Sequence, residues 1–158
     1  MHIAITSRVI AEKVSASIKT PHVIISITDP DSDLPKFAPN ENRIGILFLQ
    51  FHDLEDISAD MTLQDAVEYI TEFGLGLFSD KQATQIVDFV EGIKDTAKGI
   101  LVHCEAGVSR SAAVAAVIEL MLNGSNERVF NDRRYSPNQY VYARLLHAWQ
   151  KRVEGMAE

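Results

Sequence analysis

Apolar and polar positions along the chain fall into short runs that switch between a period of two and a period near 3.6. His2 to Thr6 alternates loosely and fits a first strand, and Ser7 can cap a helix through Ser15 whose stripe is Val9, Ile10 and Val14. His22 to Thr28 is β-branched and apolar and reads as a buried strand. Asp29-Pro30-Asp31-Ser32-Asp33-Leu34-Pro35 is turn chemistry, and a surface loop runs on to about Asn42, its Asp and Lys side chains read as solvated. Ile44 to Phe51 is a further apolar strand, followed by the acidic loop His52-Asp53-Leu54-Glu55-Asp56. Met61 to Phe73 carries a helical stripe in Val67, Ile70 and Phe73, with Thr62 as its cap, and Gly74 and Gly76 break it.

The second half is more sharply punctuated. Ser79-Asp80 opens a helix to about Thr96, with Ile86, Phe89, Val90 and Ile93 on one face. Gly99 to Val102 is a short apolar strand, and Ser111 to Leu122, rich in alanine, leucine and valine, is a helix ended by Asn123-Gly124. Asn126 to Arg133 reads as a short helix. Ser136-Pro137 starts the last one, which runs to about Val153 with Val141, Leu145, Leu146 and Trp149 on one face. Strands alternating with helices predict an α/β fold: a compact single domain over residues 1–158, with a central, mostly parallel sheet flanked by helices. Ligands of such sheets bind outside the carboxyl ends of the strands.

The chemistry concentrates between the Gly99 strand and the Ser111 helix. Strand, tight loop and helix make a phosphate-binding architecture. The helix start leaves N–H groups unpaired, its dipole favours an anion, and successive loop N–H groups form a nest. The backbone N–H groups of Glu105, Ala106, Gly107, Val108 and Ser109 are therefore the candidate phosphate ligands, and Gly107 permits a sharp turn. Cys104 stands at the loop floor, where a helix N-terminus and a nearby arginine favour the thiolate, the nucleophilic form. The planar fork of Arg110 can hold two phosphate oxygens at once. The Ser111 hydroxyl can donate to the sulfur and stabilise it as a leaving group. Glu105 opposes phosphate by its charge, so its side chain is expected to face away while its N–H serves.

His103-Cys104-Glu105-Ala106-Gly107-Val108-Ser109-Arg110-Ser111 resembles the signature loop of the cysteine-dependent protein tyrosine phosphatases, most closely the dual-specificity branch. The resemblance runs from about residue 44 to about residue 146. It implies the compact phosphatase fold and two-step hydrolysis of a phosphate monoester through a phosphocysteine on Cys104. A proton must reach the departing oxygen from another loop on the same sheet edge. Asp53, just past a strand, is similar in placement to the family's general acid, and Asp56 is the alternative. His103 is expected to orient the loop by hydrogen bonding. Arg133, Pro137 and Asn138 are similar to a pattern late in dual-specificity phosphatases, where the asparagine braces the loops around the site; the plainer reading of Asn138 is a local bond at a helix start.

Composition narrows the partners. Of 158 residues, 46% are hydrophobic and 23% charged, an ordinary soluble balance. The formal net charge of −7 argues against a general nucleic-acid or anionic-membrane binder. The single cysteine excludes an intramolecular disulfide and a cysteine-rich zinc site, and a lone working thiol fits a reducing cytoplasm. No window approaches the roughly 18 apolar residues of a membrane span, and Met1 to Thr6 lacks the basic lead of a signal peptide. No metal or cofactor is expected, since loop and arginine supply positive charge. Glu105, Ala106, Val108 and Ser109 include no lysine or arginine, which favours a substrate with one phosphate, such as a phosphorylated protein bearing phosphotyrosine. A phosphatase of a small metabolite or an RNA 5′ end, and a non-catalytic phospho-binding scaffold of the same fold, are the alternatives.

Overall fold

A computed structural model describes residues 1–54, 62, 64–65 and 76–157. In chain order the elements are β1 (His2–Ser7), α1 (Arg8–Val14), β2 (His22–Thr28), β3 (Arg43–Gln50), α2 (Asp80–Ile93), β4 (Gly99–Cys104), α3 (Arg110–Asn123), α4 (Glu127–Phe130) and α5 (Gln139–Ala157). The strands form a four-stranded sheet in the order β1-β4-β2-β3, and every pairing is parallel. Parallel strands need crossovers that cover the sheet, and the alternation of side chains sorts them between two faces. Val23, Ile25, Ile27, Ile100, Val102 and Cys104 enter the larger core with Ile86 and Val90 of α2, Val114 and Val117 of α3 and Leu145 of α5. Ile24 and Leu101 face the other way, onto Ala11 of α1 and onto Phe37. All seven residues of β2 are buried, which accounts for its unbroken β-branched run.

α3 is buried at every position from Arg110 to Glu119. A helix apolar on all sides belongs in a core. Its alanines allow close approach: Ala112 and Ala116 pack with Val129 of α4 on one side, while Ala113 and Ala115 join the main core on the other. Gly124, at φ 80°, closes the helix in the left-handed conformation that glycine adopts without strain. α2 starts from a reciprocal cap in which the Ser79 hydroxyl accepts from the Gln82 N–H and the Gln82 side chain accepts from the Ser79 N–H.

Several boundaries differ from the sequence expectation: β4 runs on to Cys104, α2 stops at Ile93 and α5 continues to Ala157, and three more differ for a reason found at the sheet edge or just beyond it. β3 ends at Gln50 rather than Phe51. The Phe51 N–H still donates to the Thr28 carbonyl at 3.0 Å, but its own carbonyl turns away to accept from Arg110. The short helix stops at Phe130 because Asp132 accepts from the Arg134 backbone and guanidinium, a local bond that competes with helix. The last helix begins at Gln139, not Ser136-Pro137. The N–H groups of Ser136 and Asn138 instead donate to the carbonyls of Val108 and Ser109, at 2.9 and 3.1 Å. Thr62 does accept from the Asp65 N–H at 3.1 Å, as a cap would. Val67, Ile70, Phe73 and Gly74 of the expected 61–73 helix, and Asp56, lie outside the described residues. No helix among the described residues is long and apolar enough to cross a membrane.

Candidate active site

The carboxyl ends of the four strands deliver Ser7, Thr28-Asp29, Gln50-Phe51 and Cys104 to one edge. β4 lies between β1 and β2, so the loop after Cys104 is flanked by backbone on both sides. Gly107 sits at φ 73°, and a Cβ there would lie 2.5 Å from the Thr6 carbonyl carbon and 2.6 Å from the Ser7 nitrogen. Both the dihedral and the neighbouring strand therefore demand glycine. The loop's carbonyls are tied outward: Glu105 to the Arg8 N–H at 3.2 Å, Val108 to Ser136 and Ser109 to Asn138. In a planar trans peptide the next N–H points the opposite way. The N–H groups of Ala106, Ser109 and Arg110 are thus turned inward. The side chains of Glu105 and Val108 are exposed, leaving the backbone to line the loop.

Cys104 is buried at the floor. Its Sγ lies 3.1 Å from Ser111 Oγ and receives the Gly107 N–H at 3.3 Å. Burial alone raises a thiol pKa, but the Ser111 side-chain and backbone hydrogen bonds, the Gly107 N–H and the Arg110 charge outweigh it, so the thiol lies below its ordinary value. His103, one residue earlier, points to the opposite face of β4. Its Nδ1 lies 3.1 Å from the Cys104 carbonyl and its Nε2 lies 2.6 Å from Ser26 Oγ. A carbonyl only accepts, so Nδ1 carries the proton and Nε2 accepts from the Ser26 hydroxyl. Burial holds the ring's pKa below its ordinary value, against the raising effect of the Cys104 carbonyl.

Arg110 is buried at the start of α3, with Nη1 donating to Asp29 Oδ1 at 2.8 Å and to the Phe51 carbonyl at 2.7 Å. Its Nε is buried without a partner among the described residues. Asp53, exposed after β3, is met by two donors on one oxygen: Ser109 Oγ at 2.9 Å and Asn138 Nδ2 at 2.6 Å. Asn138 is fully buried and works in three directions. Its side-chain carbonyl caps α5 by accepting from the Val141 N–H, its amide reaches Asp53, and its backbone N–H holds the Ser109 carbonyl. The local-cap reading and the loop-bracing reading of Asn138 thus describe the same residue.

The structure therefore brings three hydrogen-bonded groups to this edge: Cys104 with Ser111 and Gly107, Arg110 with Asp29 and the Phe51 carbonyl, and Asp53 with Ser109 and Asn138. Two partners were missed from the sequence. Asp29, taken for a solvated loop carboxylate, is the ion-pair partner of Arg110; Ser26, inside an apolar run, is the partner of His103. The available signals were an acid directly after a strand of the same sheet, and a hydroxyl on the alternate face of a buried strand. Arg133 is exposed, and Arg134 pairs with Asp132 and lies over the Tyr135 ring.

Solved structures share this architecture. Human DUSP28 matches with 16% identity and a TM-score of 0.55, over 95% of this chain and 94% of that one. DUSP15 matches with 17% identity and a TM-score of 0.57, over 93% and 83%. The fold is that of the dual-specificity phosphatases. PTPMT1 in complex with PI(5)P is also similar, at 15% identity and a TM-score of 0.60, over 99% and 95% of the two chains. At these identities the phosphatase fold is what is shared. No protein-family model and no curated protein matches the sequence.

Proposed function

We propose that the protein is a cysteine-dependent phosphomonoester hydrolase of the protein tyrosine and dual-specificity phosphatase type. The observation that carries this reading is Cys104. Its sulfur is held by Ser111 and Gly107 beneath inward-turned N–H groups, and Arg110 beside it has a buried Nε donor without a partner. Fixed donors aimed at developing negative charge are the largest source of catalysis in such sites.

In the first step the Cys104 thiolate attacks phosphorus in line. The S–P bond forms as the P–O bond to the substrate breaks, and Asp53 gives its proton to the departing oxygen. With Ser109 and Asn138 both donating to Oδ1, that proton belongs on Oδ2. In the second step water attacks the phosphocysteine and Asp53 takes a proton from it. The S–P bond breaks, inorganic phosphate leaves, and Ser111 donates to the returning thiolate. The loop N–H groups and Arg110 hold the phosphoryl oxygens throughout. The absence of basic side chains at Glu105, Ala106, Val108 and Ser109 supports a substrate with a single phosphate, which we take to be a phosphorylated protein.

The test is to trap the intermediate. Wild type and Asp53→Ala are mixed with radiolabelled phosphotyrosine peptide and quenched in denaturant. Wild type should carry label as a phosphothiol on Cys104. Asp53→Ala, which lacks both the acid and the base, should form and discharge it more slowly, and Cys104→Ser should carry no phosphothiol and release no phosphate. Phosphate release by Cys104→Ser at the wild-type rate would overturn the mechanism. Peptide binding without label or release in any variant would move the reading to a phospho-binding scaffold.

A further inference from the structure

We propose that Asp29 is a positioning residue for phosphate binding: it turns the guanidinium of Arg110 so that its two-donor edge, Nε and Nη2, faces the loop. This rests on the phosphate-site reading above and adds a residue that the signature loop does not contain.

A guanidinium has five N–H groups in one plane. Here both protons of Nη1 are taken, one by Asp29 Oδ1 at 2.8 Å and one by the Phe51 carbonyl at 2.7 Å. One acceptor leaves the plane free to rock about that bond, whereas two fix it. The edge then left over is the one that meets two oxygens of a phosphate side by side. Its Nε is fully buried and unpartnered among the described residues. A buried donor on a charged group is costly to leave unmet, so the protein holds open a place for an acceptor.

The two acceptors are themselves anchored to one strand. Asp29 follows Thr28, the last residue of β2, and the Phe51 N–H donates to the Thr28 carbonyl. β2 also pairs directly with β4, which carries the loop. Gln50 Nε2 secures the turn by donating to the carbonyls of Asp29 and Ser32 and to Thr28 Oγ1, and Gln82 Nε2 donates to the Gln50 carbonyl. The Asp29 side chain is 36% exposed whereas that of Arg110 is 5% exposed. The carboxylate thus sits on the solvent side of the pair. It offsets the cost of burying the guanidinium while its own field is partly screened from the loop.

The experiment is calorimetric binding of inorganic tungstate, a phosphate mimic, together with thermal unfolding. Asp29→Ala should weaken tungstate binding about 10- to 100-fold, the loss of one charge-assisted hydrogen bond. Asp29→Asn, whose Oδ1 still accepts from Nη1, should restore most of it. Asp31→Ala removes a neighbouring exposed charge and should bind as wild type does. If Asp29→Ala does not fold, Asp29→Leu, similar in size but without an acceptor, serves in its place. Unchanged or tighter binding in Asp29→Ala would overturn the proposal, because the carboxylate would then be idle or a competitor of phosphate. Equal weakness in Asp29→Asn would also overturn it, because charge rather than geometry would be at work. Tungstate binding without turnover in wild type would refute hydrolysis and leave this test intact. Wild type that binds no tungstate would overturn both.

Discussion

A buried thiol is normally a weak acid, and what makes Cys104 different is a short chain of donors on both sides of it. Ser111 acts on the sulfur directly at 3.1 Å. Ser26 stands at one remove: its hydroxyl donates to His103, whose Nδ1–H donates to the Cys104 carbonyl. Ser111→Ala should therefore move the pH dependence of iodoacetamide alkylation to higher pH, since the thiolate loses its nearest donor. Ser26→Ala should move it in the same direction by a smaller step. A profile unmoved in Ser111→Ala would mean that its hydroxyl does not stabilise the thiolate. At this scale the sequence was informative where partners are close along the chain. Cys104 and Ser111 belong to one loop and helix start, so their meeting follows from spacing. Asp29 and Arg110 are 81 positions apart, and Ser26 and His103 are 77 apart. The place of Asp29 directly after a strand is the one local hint that such a carboxylate is not simply solvated; the strand order β1-β4-β2-β3 is what brings it to its partner.

The loop between β4 and α3 keeps its shape because its neighbours leave it no other. Gly107 is wedged against the end of β1, and the carbonyls of Glu105, Val108 and Ser109 are claimed by α1 and by the segment leading into α5. Gly107→Ala should destabilise the fold by about 1–3 kcal/mol through the forced contact with Thr6 and Ser7, and by roughly 1–2 kcal/mol more through the left-handed dihedral. Denaturant unfolding measures the sum, and a loss under about 0.5 kcal/mol, the usual size of a surface change, would show that the loop is freer than this. The sequence located these elements well wherever periodicity and caps agree, as at Ser7, Ser79 and Gly124. Among the boundaries it misplaced are the start of α5 and the ends of β3 and α4. Two of these termini spend their backbone groups on Arg110 or the loop after β4, and the third on the Asp132–Arg134 turn. Tertiary bonds and side-chain competition of this kind leave no trace in hydrophobic patterning.

Across the whole molecule, one edge of a parallel sheet gathers a carboxylate from each of two loops, the Cys104 thiol from a third strand, and Asn138 from the cap of a distant helix. The sequence predicted the sheet and that edge, because apolar runs separated by helices admit few other arrangements. Burying the polar residues behind the loop carries a cost that depends on pH. His103 is fully buried with its pKa depressed, so below about pH 6.5 the unfolded chain takes up a proton that the folded chain refuses. The resulting stability is complete above that pH and is lost as the pH falls toward the folded-state value. Wild type should accordingly lose more stability between pH 7 and pH 5 than His103→Asn, compared by denaturant unfolding; an equal loss in both would assign the acid sensitivity to other groups. The most direct test of the account as a whole is the hydrolysis of 4-nitrophenyl phosphate in excess chelator by reduced wild type and by Cys104→Ser. Turnover that survives chelation in wild type and disappears in Cys104→Ser is the predicted result. Turnover that the chelator removes, or that Cys104→Ser retains, would contradict it.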